Sequence, residues 1–262
     1  MLCLTLDART MEENLKILER NKDYISIVEL RTDMLLPSEL PKAKIFPSTT
    51  ELPVILTVRR PRDGGQFKGT EDERKDVLKE LSQGKFAYVD MEVDLNYPSL
   101  EYQLISRDVN VIRSMHDFSG IPKDIPELAR VISSCGEIPK IAITPRSTQD
   151  QLEFFRIANL LSNIQRKILI GMGKFGLPTR ILYKRLGSML TYCSQSDPNN
   201  IGLPTPQQLA TTYRSPEITK HTTIHAVQSA TVVQKPDGSV TVPFVVDDQT
   251  AFKDLCELLN IE

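Results

Sequence analysis

Residues 2–6, 25–30, 53–58, 86–91, 109–115, 139–143, 167–171 and 188–192 are apolar runs of strand length. Between them, stretches at 11–20, 71–82, 99–106, 125–133, 148–162 and 177–184 carry helical periodicity. Most of the strand-like runs are continuously apolar rather than alternating, which calls for burial on both faces. Repeated strand–helix alternation builds a parallel α/β sheet. Eight strands within roughly 200 residues suit a compact (β/α)8 TIM barrel better than an open sheet. The first strand–helix turn has no GxGxxG pattern, which weighs against a dinucleotide site there.

The pattern changes near Tyr213. Residues 214–234 are polar and without clear periodicity, and Lys235-Pro236-Asp237-Gly238-Ser239 predicts a turn. A strand-like run at 240–246 follows, and Asp247-Asp248 is placed to cap a last helix over 251–260. The reading is therefore a barrel domain, 1–213, with a short C-terminal extension, 214–262. The 32 Lys and Arg residues nearly balance 34 Asp and Glu, giving a net charge of −2. That balance lacks the basic footprint of nucleic-acid binding or of adhesion to an acidic membrane. Cys3, Cys135, Cys193 and Cys256 are widely spaced with no CxxC pair, which predicts a reduced, cytoplasmic chain without a metal cluster. The apolar N-terminus is too short for a signal peptide and lacks a basic n-region. No stretch approaches the ~20 apolar residues that span a bilayer.

In a parallel barrel, reacting groups sit where strands end and loops begin. Five successive loops of this chain place ionisable groups there. Strand two ends in Glu29-Leu30-Arg31-Thr32-Asp33, and alternation puts Glu29, Arg31 and Asp33 on one face. Strand three ends in Arg59-Arg60-Pro61-Arg62-Asp63-Gly64-Gly65, and strand four carries Asp90, Glu92 and Asp94. Strand five ends at His116. Strand six holds Lys140 within the apolar run Ile138-Pro139-Lys140-Ile141-Ala142. Gly171–Gly176, with Met172, and then Arg180 follow strand seven. An ammonium held in an apolar strand must pair, snorkel out or lose its proton. In the last case it becomes a nucleophile for carbonyl carbon. A histidine one strand away is the natural proton carrier for such chemistry. Each group also has a plain structural reading. Lys140 suits a snorkelling strand residue, Glu29 with Arg31 a rim ion pair, Arg59–Arg62 a solvated loop, and Asp90–Asp94 a ladder of carboxylates with structural partners. His221 and His225 have the spacing of a helical metal pair, but Thr-Thr-Ile around them disfavours a helix and no third ligand stands out.

Taken in order, Val28–Asp33, Thr57-Val58-Arg59 with Asp63-Gly64-Gly65, Ser114–Phe118, Pro139–Ala142 and Met172–Arg180 resemble the type I 3-dehydroquinate dehydratases. The resemblance covers residues 1–213. It implies a cytoplasmic hydro-lyase of the shikimate pathway, on the route to chorismate and the aromatic amino acids. Its small-molecule substrate is 3-dehydroquinate, and neither metal nor organic cofactor takes part. A homodimer is common in that family. By position, the resemblance implies that Lys140 forms a Schiff base with the substrate ketone. His116 moves the protons of a syn elimination, and Asp63 stands where the family has a glutamate that orients the histidine. Glu29, Arg31 and Arg59 contact hydroxyls, Met172 forms an apolar wall with Ile170, and Arg180 clamps the carboxylate.

The chain departs from the family in its last loop, which usually reads Ser-Ala-Pro-Gly-Gln and is here Asn199-Asn200-Ile201-Gly202-Leu203. Asn199 replaces the serine and Leu203 the glutamine, so a weakened or inactive barrel retained for binding stays open as an alternative. A class I Schiff-base aldolase is the other rival, with Gly171–Gly176 read as a phosphate loop. Residues 241–248 and the helix after them resemble the second strand region of a shikimate dehydrogenase, the enzyme fused after the dehydratase in some proteins. The tail lacks the catalytic Lys–Asp region and the nucleotide-binding half of that enzyme, so oxidoreductase activity is not expected.

Overall fold

A computed structural model describes residues 1–195, 202–228 and 237–261. Its main sheet has eight strands in the order β7-β6-β5-β4-β3-β2-β1-β8. In chain order these are β1 (Leu2–Leu6), β2 (Ile27–Arg31), β3 (Val54–Thr57), β4 (Tyr88–Glu92), β5 (Asn110–Asp117), β6 (Ile138–Ile143), β7 (Ile168–Gly171) and β8 (Thr191–Cys193). Sequential strands are neighbours throughout. β7 and β8 also lie in contact, the N–H of Met189 donating to the Lys167 carbonyl at 2.8 Å. The chain is an α/β (β/α)8 barrel, as the apolar runs predict. The helices between the strands are α1 (Met11–Asn21), α2 (Leu40–Ala43), α3 (Glu71–Leu81), α4 (Pro98–Ser106), α5 (Ile125–Ser134), α6 (Thr148–Leu160) and α7 (Leu177–Ile181). None of the described helices is long and apolar enough to cross a membrane.

Contacts divide the chain into two units, Cys3–Met115 and Met1–Leu2 with His116–Glu262. In the first, β1 to β5 pair in parallel, and Thr5, Glu29 and Ile55 stand side by side across three strands. Parallel neighbours in register point to the same face, so Thr5, Glu29, Arg31, Thr57, Asp90, Glu92 and Ser114 share one side. The other side is apolar, with Leu4, Val28, Leu30, Leu56, Val89 and Met91 buried under the helices. Helix α3 starts at a capping box, Thr70 with Glu73, which satisfies two backbone donors.

In the second unit β6 and β7 pair in parallel, Lys140 beside Ile168 and Ala142 beside Ile170. Helix α6 is capped by Ser147, which accepts from the Asp150 N–H. The tail belongs to this unit. It forms a parallel pair, β9 (Ile224–Val227) and β10 (Val240–Pro243), followed by helix α8 (Gln249–Leu259). Helix α8 packs on α6, and β10 touches α7. Asp247 accepts from both the N–H and the hydroxyl of Thr148, each at 2.8 Å, and returns its own N–H to that hydroxyl. Asp248 caps α8 by accepting from Thr250 and Ala251, as its position predicts. The guanidinium of Arg185 donates to the Thr222 carbonyl at 2.7 Å.

Two local expectations differ from the structure, and the doubt about a helical histidine pair agrees with it. Strand eight lies at Thr191–Cys193 rather than 188–192, because Ser188 turns its hydroxyl to the Leu169 N–H and the Leu190 carbonyl. The polar stretch 214–234 contains β9, a four-residue strand in which Ile224 alone is buried, too little apolar signal to show as a period. His225 lies on that strand, so it and His221 do not form a helical i, i+4 pair.

Candidate active site

The first unit gathers a buried network of opposite charges on the face described above. Arg59, next but one after β3, donates to Glu92 at 2.8 Å and to the Ser114 hydroxyl at 2.8 Å, and pairs with Asp90 at 2.8 Å. Ser114 passes its own proton to Asp90 at 2.6 Å. Burial works against the Arg59 charge, but Asp90, Glu92 and Glu29 outweigh it and hold the guanidinium above its usual range. Glu29 accepts from the hydroxyls of Thr5 (3.1 Å) and Thr57 (3.0 Å), which fix its carboxylate in the face. Arg31 makes a two-pronged contact with Asp33 at 2.9 and 2.8 Å. Burial disfavours the Asp33 charge, yet Arg31 and the Gln66 N–H overcome it and keep the carboxyl below its ordinary range. Glu29, Arg31 and Arg59, three of the residues singled out from sequence, thus belong to one fixed polar surface, and the carboxylates of β4 are its partners.

Asp63 lies outside that surface, in a one-turn 3-10 helix. Its carboxylate is bonded by Arg60 and approached by Arg62, and both arginines also pair with Asp94. The sharp turn behind Asp63 explains Gly64-Gly65. Gly64 adopts φ 81°, and a Cβ on Gly65 would meet the Arg59 carbonyl at 2.0 Å, so the loop closes onto Arg59 only with glycine there.

Arg74 on α3 is a member of this network that sequence reasoning missed. It is wholly buried, pairs with Glu92 at 2.8 Å and Glu71 at 2.6 Å, and donates to the Val58 carbonyl at 2.9 Å. A surface-like pattern, Glu71-Asp72-Glu73-Arg74, hid it. Arg74→Met should destabilise the fold by about 3 kcal/mol, the low end for breaking a buried pair, because Arg59 still neutralises part of Glu92. Urea unfolding measures this, and a change under about 1 kcal/mol would show that the pair is dispensable.

The second unit holds the candidate nucleophile. Lys140 sits in the middle of β6, only 4% exposed. Its Nζ lies 4.4 Å from the ring centroid of Tyr192 on β8. Ile168 and Ile170 share its face through the β6–β7 register, and Met172 continues that apolar wall, itself buried. Arg180 on α7 is 2% exposed. Burial pushes the Cys193 thiol well up, and the nearby positive charge of Arg180 pulls the other way. His116 is part-buried near the end of β5, with Nδ1 out of solvent.

The glycine-rich loop after β7 uses its backbone internally. The N–H of Gly171 donates to Thr179 Oγ1, that of Met172 to the Ile143 carbonyl, and that of Gly176 to the Gly173 carbonyl. Thr179 in turn donates to the Gly176 carbonyl at 2.6 Å. Three amides that a phosphate cradle would need are therefore engaged. Leu203 is part-exposed; Asn199 lies outside the described residues.

A family model for type I 3-dehydroquinase matches residues 2–220. The chain belongs to the type I 3-dehydroquinase family. A 3-dehydroquinate dehydratase of Methanothrix thermoacetophila is 32% identical over 189 residues, covering 72% of this chain and 80% of the relative. The crystal structure of the 3-dehydroquinate dehydratase from Aquifex aeolicus superposes with a TM-score of 0.68 at 28% identity, covering 80% of this chain and 95% of that one. The dehydroquinate dehydratase and shikimate dehydrogenase from S. pombe shares the fold with a TM-score of 0.69 at 23% identity, over 86% of this chain and 46% of that one. Membership in the type I 3-dehydroquinases gives the chain its place as a hydro-lyase in the shikimate pathway.

Proposed function

We propose that this chain converts 3-dehydroquinate to 3-dehydroshikimate in the cytoplasm, through an imine on Lys140 and without a cofactor. The observation that carries the reading is a lysine amine enclosed in β6 between an aromatic ring and aliphatic side chains. Such enclosure suits a nitrogen that must attack carbonyl carbon rather than face water. Lys140 adds to the C3 ketone, and loss of water leaves an iminium. The positive nitrogen then withdraws electrons from C2. His116 takes the C2 proton, the enamine expels the C1 hydroxyl, and the same imidazole protonates the departing oxygen, which is a syn elimination. Hydrolysis of the product imine returns the free amine.

Asp63 is assigned to orient His116, with its charge held in place by Arg60. Glu29, Arg31 and Arg59 are assigned to the substrate hydroxyls. Their fixed bonding, Arg31 to Asp33, Glu29 to Thr57 and Arg59 to Glu92, supports this, since donors and acceptors held before binding lose little freedom when substrate arrives. Arg180 is assigned to the carboxylate, which its planar fork meets with two parallel bonds. The substrate is thus a small hydroxylated keto acid, with no role for nucleic acid or membrane. For the tail we propose a boundary near Tyr213 and descent from the opening region of a shikimate dehydrogenase. The parallel pair β9–β10 leading into α8 supports that reading.

Borohydride trapping tests the reaction. After incubation with 3-dehydroquinate and reduction, peptide mass should show the adduct on Lys140, alongside formation of the enone absorbance. Adduct with no product would mean a barrel that binds without dehydrating, and neither adduct nor product would sink the assignment. Leu203 motivates the weakened reading. If it occupies the family's glutamine position, Leu203→Gln should lower KM about 3- to 10-fold by restoring a hydrogen bond. An unchanged KM would show that this residue does not reach the substrate.

A further inference from the structure

The contact between Lys140 and Tyr192 has a chemical consequence that rests on the imine reading above. Tyr192 is the central residue of β8, and its side chain is 5% exposed. Its ring lies under the Lys140 Nζ at 4.4 Å, well within the ~6 Å at which a cation is attracted by the negative face of an aromatic ring. Both partners are enclosed, and such an attraction grows when water is excluded. We propose that Tyr192 is a catalytic residue of this enzyme, its ring face seating the Lys140 nitrogen and stabilising the iminium that forms on it.

The charge bookkeeping supports this role. When the neutral amine adds to the ketone carbon, a C–N bond forms and a neutral carbinolamine results. Protonation of its hydroxyl and loss of water then break the C–O bond and leave nitrogen with a positive charge in the C=N group. That charge drives proton loss from the neighbouring carbon to His116, and the C–H electron pair left behind neutralises the nitrogen as a neutral enamine. The charge returns when the hydroxyl, protonated by His116, leaves as water. A ring face fixed against this nitrogen favours the two iminium states over the carbinolamine and the enamine. It also confines the long lysine chain to one direction, so the amine meets the ketone already placed. The phenol hydroxyl has no part in either effect.

Tyr192→Phe and Tyr192→Leu separate the ring from the hydroxyl. The phenylalanine variant should keep kcat within about twofold of the parent enzyme. The leucine variant should lose about tenfold in kcat, between what exposed and fully desolvated contacts of this kind are worth. With 3-dehydroquinate bound, the leucine variant should also show a proportionally smaller fraction of Lys140 trapped by borohydride at steady state. A merely structural role would not move the trapped fraction. Phenylalanines carrying successive fluorines at position 192 change the ring's charge with little change in shape, and the trapped fraction should fall stepwise along the series. A flat series, or a leucine variant with the parent's trapped fraction, would overturn the assignment to Tyr192. Failure of the imine reading looks different, as an absence of adduct in the parent enzyme itself.

Discussion

Lys140→Ala is expected to lower kcat by at least about 10⁴-fold. Enzymic rate gains begin near 10⁶-fold, and in this mechanism the covalent intermediate supplies the electron sink on which every later step depends. Removing the amine deletes that sink outright, and neither the Arg59 network nor Arg180 can replace it, since guanidinium groups stay protonated and do not form imines. The variant should fold, because the apolar residues around it in β6, Ile138, Ile141 and Ile143, keep the strand's packing. It should still bind substrate if the hydroxyl and carboxylate contacts lie elsewhere. Turnover is followed by product absorbance, and affinity by calorimetry. Activity near that of the parent would end the Schiff-base reading, whatever the family.

His116→Ala should behave differently. General acid–base groups contribute about 10²- to 10⁴-fold, so kcat should fall into that interval. The imine does not require the imidazole for its existence, so substrate should remain attached to Lys140, and borohydride should trap a larger share of the enzyme than in the parent. A slow variant without that accumulation would mean that His116 acts mainly in forming the imine. The two variants together separate the nucleophile from the proton carrier: one abolishes the adduct and the other stores it.

How much of this was legible in the residues depended on the length scale of the signal. Strand order was legible because most barrel strands are nearly unbroken apolar runs with a helix between one and the next. Glu29, Arg31 and Lys140 stood out because a charge inside such a run needs a reason. Arg74 was not legible. Its neighbours Glu71, Asp72 and Glu73 make an ordinary charged helix start, and only tertiary packing against Glu92 takes its guanidinium out of water. Tyr192 was missed for the opposite reason, since an aromatic residue in an apolar strand reads as filling for the core. Nothing local reveals that its ring faces the Lys140 nitrogen two strands away. Asp63 was singled out only by its position in the resemblance, while its tie to Arg60, three residues earlier, follows from a turn that the glycines enforce. Strand β9 is short enough that its existence depends on pairing with β10 rather than on its own side chains.

The joint between Thr148 and Asp247 bears on how the molecule can be handled. A shorter version cut after Tyr213 would resemble a complete barrel on paper. It would nevertheless strip cover from α6 and α7, which α8 and β10 shield, and leave the first residue of α6 without its carboxylate. Such a fragment would carry newly wetted apolar surface and would clump on concentration, a poor surrogate for the 262-residue chain in any assay.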